Sequence, residues 1–83
     1  MIKIGKYMHA TPAERPRDEP ESYTVRASNG DALATVEWYP RWRQYVLEAR
    51  PMSVMSVDCL RDLTTFLEHC NKAQTMVTAG RRA

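Results

Sequence analysis

Residues Glu37–Leu47 read EWYPRWRQYVL, and the fold follows from how this stretch is read. It holds both tryptophans, Trp38 and Trp42, and two of the four tyrosines, Tyr39 and Tyr45, with Arg41 and Arg43 interleaved. Aromatic residues favour pleated, half-buried surfaces, and Pro40 has no N–H to give a central strand. The stretch therefore predicts a β-hairpin. Glu37–Tyr39 runs up, Trp42–Leu47 runs back, and Pro40-Arg41 forms the tip. No reaction is written into these residues.

Working back toward the N-terminus, residues 23–27 (YTVRA) alternate with period two and lead into Asn29-Gly30. Asn-Gly between alternating segments signals a two-residue hairpin, because both central residues of a type I′ turn need positive φ. Closing that turn pairs Ala27 with Ala32, Val25 with Ala34 and Tyr23 with Val36. A loop at Tyr39–Trp42 then pairs Trp38 with Arg43, Val36 with Tyr45 and Ala34 with Leu47. Both turns put the same side chains on one face: Tyr23, Val25, Ala27, Ala34, Val36, Trp38, Tyr45 and Leu47. The other face carries Thr24, Arg26, Leu33, Thr35, Glu37, Tyr39, Trp42, Gln44 and Val46. A one-residue slip would invert both faces, so the agreement supports a three-stranded antiparallel meander.

Working forward, Arg50-Pro51 closes the third strand, and Met52–Met55 reads either as a short fourth strand or as a connecting loop. Ser56 is a good N-cap. Asp58 lies in the first turn, where the helix dipole favours an anion. Met55 and Leu60 have the spacing of a hydrophobic staple. Cys59, Leu60, Leu63, Phe66, Leu67 and Cys70 recur at helical spacing and make one apolar stripe, and Asn71 suits the C-cap. A meander with one apolar face and a helix with one apolar stripe cover each other. The expected fold is therefore α+β, with a three-stranded meander (four-stranded if residues 52–55 join) packed on one C-terminal helix.

This assigns residues 23–72 to a single two-layer domain. Residues 10–22, ATPAERPRDEPES, carry three prolines, a dense mixture of charges and no apolar side chain larger than alanine. Such a segment buries too little to offset its ordering, so residues 1–22 are expected to form a flexible arm, with a short strand open over 2–8. Residues 73–83 are expected to fray. A core this small supplies only a few kcal/mol, so a homodimer would help it.

At 83 residues, 43% hydrophobic and 27% charged, the chain has the composition of one small globular domain. No uninterrupted apolar run exceeds three residues, so no membrane helix is expected, and MIKIGKYMHA lacks a signal-peptide core. The expected location is the cytoplasm, the host's if the chain is phage-encoded. The net charge is +2, but residues 1–21 hold four basic and four acidic side chains and residues 22–72 six of each. The excess is Arg81 and Arg82, which argues against strong non-specific nucleic-acid binding. Cys59 and Cys70 stand eleven positions apart, roughly 16 Å along a helix. That is beyond the reach of a disulfide, so both read as small core residues.

Templates for catalysis fail on residue types and spacing. His9 and His69 have no acidic or cysteine partner at metal spacing, and structural zinc needs four ligands. Cys70 and His69 are adjacent on a helix and point about 100° apart. There is no Gly-rich phosphate cradle, and Asp58 with Asp62 reads as a solvated helix face. No enzyme, cofactor or metal is expected. What remains is the outer sheet face, where Tyr39, Trp42, Leu33 and Val46 are fringed by Arg26, Arg41 and Arg43. Exposed aromatics and arginines build protein-binding hot spots and also stack on single-stranded bases. The competing reading is structural: one tryptophan is core, and the arm or a dimer mate covers the other.

Gly30-x-x-Leu33-x-x-Val36-x-Trp38-Tyr39-x-x-Trp42-Arg43-x-Tyr45, followed by Ser56-x-x-Cys59-Leu60-x-Asp62-Leu63-x-x-Phe66, resembles a set of small phage- and prophage-encoded proteins. These have a WYxxWRxY strand pair followed by an SxxCL helix. The likeness covers about residues 23–70 and implies a viral origin and a compact β-then-α fold. It carries over no catalytic residues. The expected function is a non-enzymatic binding module that engages a host protein, with inhibition of a host defence complex (anti-CRISPR-like) as a subclass. A nucleic-acid-binding accessory protein and a structural or assembly subunit are the alternatives.

Overall fold

The computed structural model describes residues 1–15 and 19–81, the last six of these as backbone. Five strands precede one helix: β1 (Ile2–Ile4), β2 (Met8–Ala13), β3 (Ser22–Ala27), β4 (Ala32–Tyr39), β5 (Gln44–Ala49) and α1 (Val57–Arg81). The strands form one antiparallel sheet in chain order, β1-β2-β3-β4-β5. This is the expected α+β arrangement with more strands than expected. Residues 52–55 add none of them. Both extra strands come from residues 1–22, where an arm was predicted, while residues 16–18 of that arm lie outside the described residues.

The arm joins the sheet because β3 has a second edge to fill. Met8 pairs with Ala27 and Ala10 with Val25, while Ile4 pairs with Met8. Ile4, Met8 and Ala10 are all buried on the helix side of the sheet, so three well-placed apolar residues suffice. Pro12 pairs with Tyr23 beyond the last β1 residue, Ile2, which lies opposite Ala10. At that level β2 has one neighbour, where a missing N–H is tolerated. Past β2, the Arg15 guanidinium donates to the Glu19 carbonyl and pairs with the Glu21 carboxylate at 3.8 Å.

The β3–β4 register agrees with expectation at Tyr23–Val36 and Val25–Ala34. The turn does not. Of its residues only Gly30 has positive φ, at 96°, so type I′ is excluded. Gly30 N–H donates to the Ala27 carbonyl at 2.9 Å and Ala27 N–H to the Asp31 carbonyl at 2.8 Å. The loop is three residues long, and Ala32 faces Arg26 rather than Ala27. Asn29 contributes its side chain, whose Oδ1 accepts the Asp31 N–H at 3.0 Å. The shift leaves Leu33 as the extra residue of a bulge, and Leu33 packs against the core instead of standing on the outer face.

The β4–β5 pairs also differ from expectation. Trp38 faces Tyr45, Val36 faces Leu47 and Ala34 faces Ala49, each two residues along from the predicted partner. The reason is a longer loop: β5 begins at Gln44, so Trp42 and Arg43 belong to the turn. Because a side chain returns to the same face every second residue, an even shift leaves both faces as read.

The core lies between the sheet and α1. Ile4, Met8, Ala10, Val25, Ala34, Val36 and Tyr45 meet Leu63, Phe66 and Cys70 there. Ser56 caps α1, accepting the Cys59 N–H on Oγ at 3.2 Å. Leu60, predicted in the stripe, is 51% exposed. The predicted stop at Asn71 and fraying from residue 73 are replaced by helix through Arg81, and residues 82–83 lie outside the described residues. Asn71 instead accepts the Tyr45 N–H on Oδ1 at 2.7 Å. At the other end of the crossing, Gly5 has φ 59°, and a Cβ there would collide with the Asp62 carboxylate.

Candidate protein-binding site

The β4–β5 loop, Pro40–Arg43, folds as two overlapping turns. Trp42 N–H donates to the Tyr39 carbonyl at 3.1 Å and Arg43 N–H to the Pro40 carbonyl at 3.2 Å. Arg43 then takes a left-handed conformation, φ 52°, which returns the chain to β5 at the cost of some strain for a residue with a Cβ. The turn drops the Trp42 ring against Tyr39, with centroids 4.8 Å apart and planes at 62°. Trp42 stays 62% exposed, and Arg41 and Arg43 on either side of it are exposed as well.

Of the seven residues predicted to meet a partner, five share this end of the sheet. Tyr39, Arg41, Trp42 and Arg43 form the tip. Val46 lies on the same outer face one step down, opposite Glu37. Arg26 and Leu33 do not join them. They sit near the β3–β4 turn, six or seven β4 positions from Tyr39, about 20 Å away at strand rise. Arg26 is engaged there, with Nη1 on the Gly30 carbonyl at 3.0 Å and Nε on Thr11 Oγ1 at 3.4 Å.

At the foot of the tip a cleft of about 180 Å³ is lined by Glu19, Pro20, Ser22, Glu37, Trp38 and Pro40. It is smaller than sites for drug-sized ligands, which run about 300–1,000 Å³. Two acidic residues, Glu19 and Glu37, stand in its wall. Sequence reading missed this cleft, since Glu19 and Pro20 belong to the predicted arm. Only the outward alternation of Glu37 signalled any part of it.

Behind the tip, the inner face carries an aromatic cluster. Trp38 meets Tyr45 edge-on at 5.6 Å, and Tyr23 meets Phe66 likewise at 5.4 Å. The Tyr23 hydroxyl donates to Glu21 Oε2 at 2.7 Å and the Tyr45 hydroxyl to the Glu21 carbonyl at 2.9 Å. Burial raises the Tyr23 hydroxyl pKa well above its usual value, and the Glu21 carboxylate adds to the rise. Tyr45 is raised as well, by burial first and then by Cys70 and Glu21. Burial, and secondarily Glu21, pushes the Cys70 thiol up to about 11. A thiol this protonated is a poor nucleophile, and Cys70 acts here as packing. Cys59 is half-buried and also free of disulfide bonding.

Among the described residues no three His, Cys, Asp or Glu side chains converge as metal ligands, and no helix is long and apolar enough to cross a membrane. His69 is exposed on α1, and His9 lies on the open sheet face between Lys3 and Arg26. Set beside known proteins, this chain finds no match: no family model fits it, and neither a curated protein nor a solved structure is detectably similar.

Proposed function

We propose that the protein is a non-enzymatic binding module of phage or prophage type that engages a host protein through the β4–β5 tip. One observation carries this reading: Trp42, set edge-on against Tyr39 and flanked by exposed Arg41 and Arg43, leaves nearly two-thirds of its surface in solvent. A large exposed ring at a turn, framed by arginines, has the composition of a binding hot spot. Inhibition of a host defence complex in the cytoplasm is the subclass that size and resemblance favour. The test is a pull-down from host lysate with the full chain and a Trp42→Ala, Arg43→Ala variant as baits. The reading expects a partner held by the first and lost by the second, and is overturned when both retain it equally.

The interleaving of Arg41 and Arg43 with Tyr39 and Trp42 also favours a second reading, a nucleic-acid-binding accessory protein. It predicts saturable quenching of tryptophan fluorescence by oligonucleotides that weakens steeply with salt. An apolar protein contact would be nearly indifferent to salt. A structural or assembly subunit, the third reading, would announce itself as a higher oligomer.

A further inference from the structure

We infer that β5 is a dimer edge: two copies join β5 to β5 antiparallel about a two-fold axis, and each carries the end of α1 onto the other. The sheet has two edges, treated differently. β1 is three residues long, contains Lys3, and its turn is closed over by Asp62 against Gly5. Short, charged and covered edges resist pairing. β5 is six residues long, QYVLEA, with neither lysine nor proline.

The direction of the β5 backbone groups follows from two bonds. Arg50 N–H donates to the Leu33 carbonyl on β4 at 2.9 Å, so even-numbered residues face β4. Tyr45 N–H donates to Asn71 on α1, so odd-numbered residues face outward, as alternation in an antiparallel pair requires. Asn71 takes the first outward donor. The N–H and C=O groups of Leu47 and Ala49 also point outward, and among the described residues no turn, loop or side chain bonds to them. They await a strand.

Any strand could fill such an edge, and α1 selects a second copy. The helix passes Gly5 at Asp62, reaches the start of β5 at Asn71, and continues for ten residues, Lys72–Arg81. A straight helix carries those residues about 15 Å past the sheet. Lys72, Ala73 and Thr75 are exposed accordingly. A two-fold normal to the sheet, joining the open outward groups of Leu47 and Ala49 to those of the second copy and leaving the Tyr45 N–H to Asn71, makes an isologous contact. It brings this overrun to the end of the second sheet where β5 leaves for α1. There the second copy presents Met52, Val54 and Val57, which are 97%, 89% and 62% exposed in the monomer. One operation thus pairs the open edge, lays the helix end on the second copy and covers apolar side chains that are otherwise bare. The tip is no part of this contact, so the two proposals fail separately.

Sedimentation equilibrium of the full chain from low to high micromolar concentration tests this. The 9.6 kDa chain is expected to sediment at twice its mass. Ala49→Pro removes an outward N–H and places a ring in the seam without costing β4 a bond, and it should raise the dimer dissociation constant about tenfold or more. Met52→Glu with Val54→Glu, at positions that touch nothing in the monomer, should weaken the dimer while leaving the circular dichroism spectrum unchanged. A wild-type chain that stays monomeric throughout overturns the inference. So does a dimer whose constant the paired glutamates leave unmoved, a result that decides even if Ala49→Pro fails to fold.

Discussion

Trp38 and Trp42 stand four positions apart and each meets a tyrosine edge-on, yet the two pairs lead opposite lives. Trp38, half-buried beside the cleft, meets the buried Tyr45 on the inner face and packs against the core. Tyr39 with Trp42 lies on the outside, with only solvent over Trp42. The chemistry of the rings is the same, so chemistry does not decide which pair holds the fold. Parity does: Trp38 shares a face with Val36 and Ala34, Tyr39 turns the other way, and Trp42 has left the strand altogether.

The largest effect should come from breaking the inner pair. Tyr45→Ala removes a buried ring, its contact to Trp38 and the hydroxyl bond to Glu21. Large aromatic-to-alanine changes in cores cost about 3–5 kcal/mol, most of what so small a domain has, and urea unfolding should show a chain barely folded in water. Alkaline pH attacks the same cluster more gently. Cys70, Tyr23 and Tyr45 all have folded pKa values raised above their unfolded ones. Their contribution is complete below pH 9 and is lost as pH rises, through about 9 to 11 for Cys70. The unfolded chain gives up protons there that the folded chain keeps, so stability falls by up to about 2 kcal/mol from Cys70. Melting temperatures should be level near neutrality and drop above pH 9, and Cys70→Ala should flatten part of the drop.

A smaller loss is expected from Asn71→Ala. It leaves the Tyr45 N–H without its acceptor, costing about 1 kcal/mol, measurable as a shift in the urea midpoint. The smallest effect on folding belongs to the outer pair. Trp42→Ala alters an exposed loop side chain, and such changes stay within about 0.5 kcal/mol. Acrylamide should therefore quench Trp42 strongly and Trp38 weakly, as a Trp38→Phe and a Trp42→Phe variant would separate.

The same parity explains how much of the fold was legible. Alternation in Tyr23–Ala27 and around Trp38 fixed the inner face, and the helix announced itself through Ser56, Leu63, Phe66 and Cys70. Register along β4–β5 was misread by two residues because Trp42 looks like a strand residue, and nothing local shows that it folds back on Tyr39. The Asn29-Gly30 turn was misread because Asn29 satisfies the backbone with its side chain instead of adopting positive φ. β1 falls within the short strand left open over residues 2–8, while β2 was hidden among prolines and charges, since its pairing with β3 is a tertiary opportunity and not a local propensity. The placement of Tyr39, Arg41, Trp42, Arg43 and Val46 at one end of the sheet was legible from alternation and the aromatic spacing. Leu33 was lost to the bulge, Arg26 to distance, and the cleft at Glu19 and Pro20 to the misread arm.

The claim that the outer rings are displayed for contact, and do not hold the fold, is tested most directly by urea unfolding of a Tyr39→Ala, Trp42→Ala double variant followed by far-ultraviolet circular dichroism. The account predicts a cooperative transition within about 1 kcal/mol of the wild type. A variant that loses several kcal/mol, or is unfolded in water, would show that these rings belong to the core and would end the case for a binding surface at the tip.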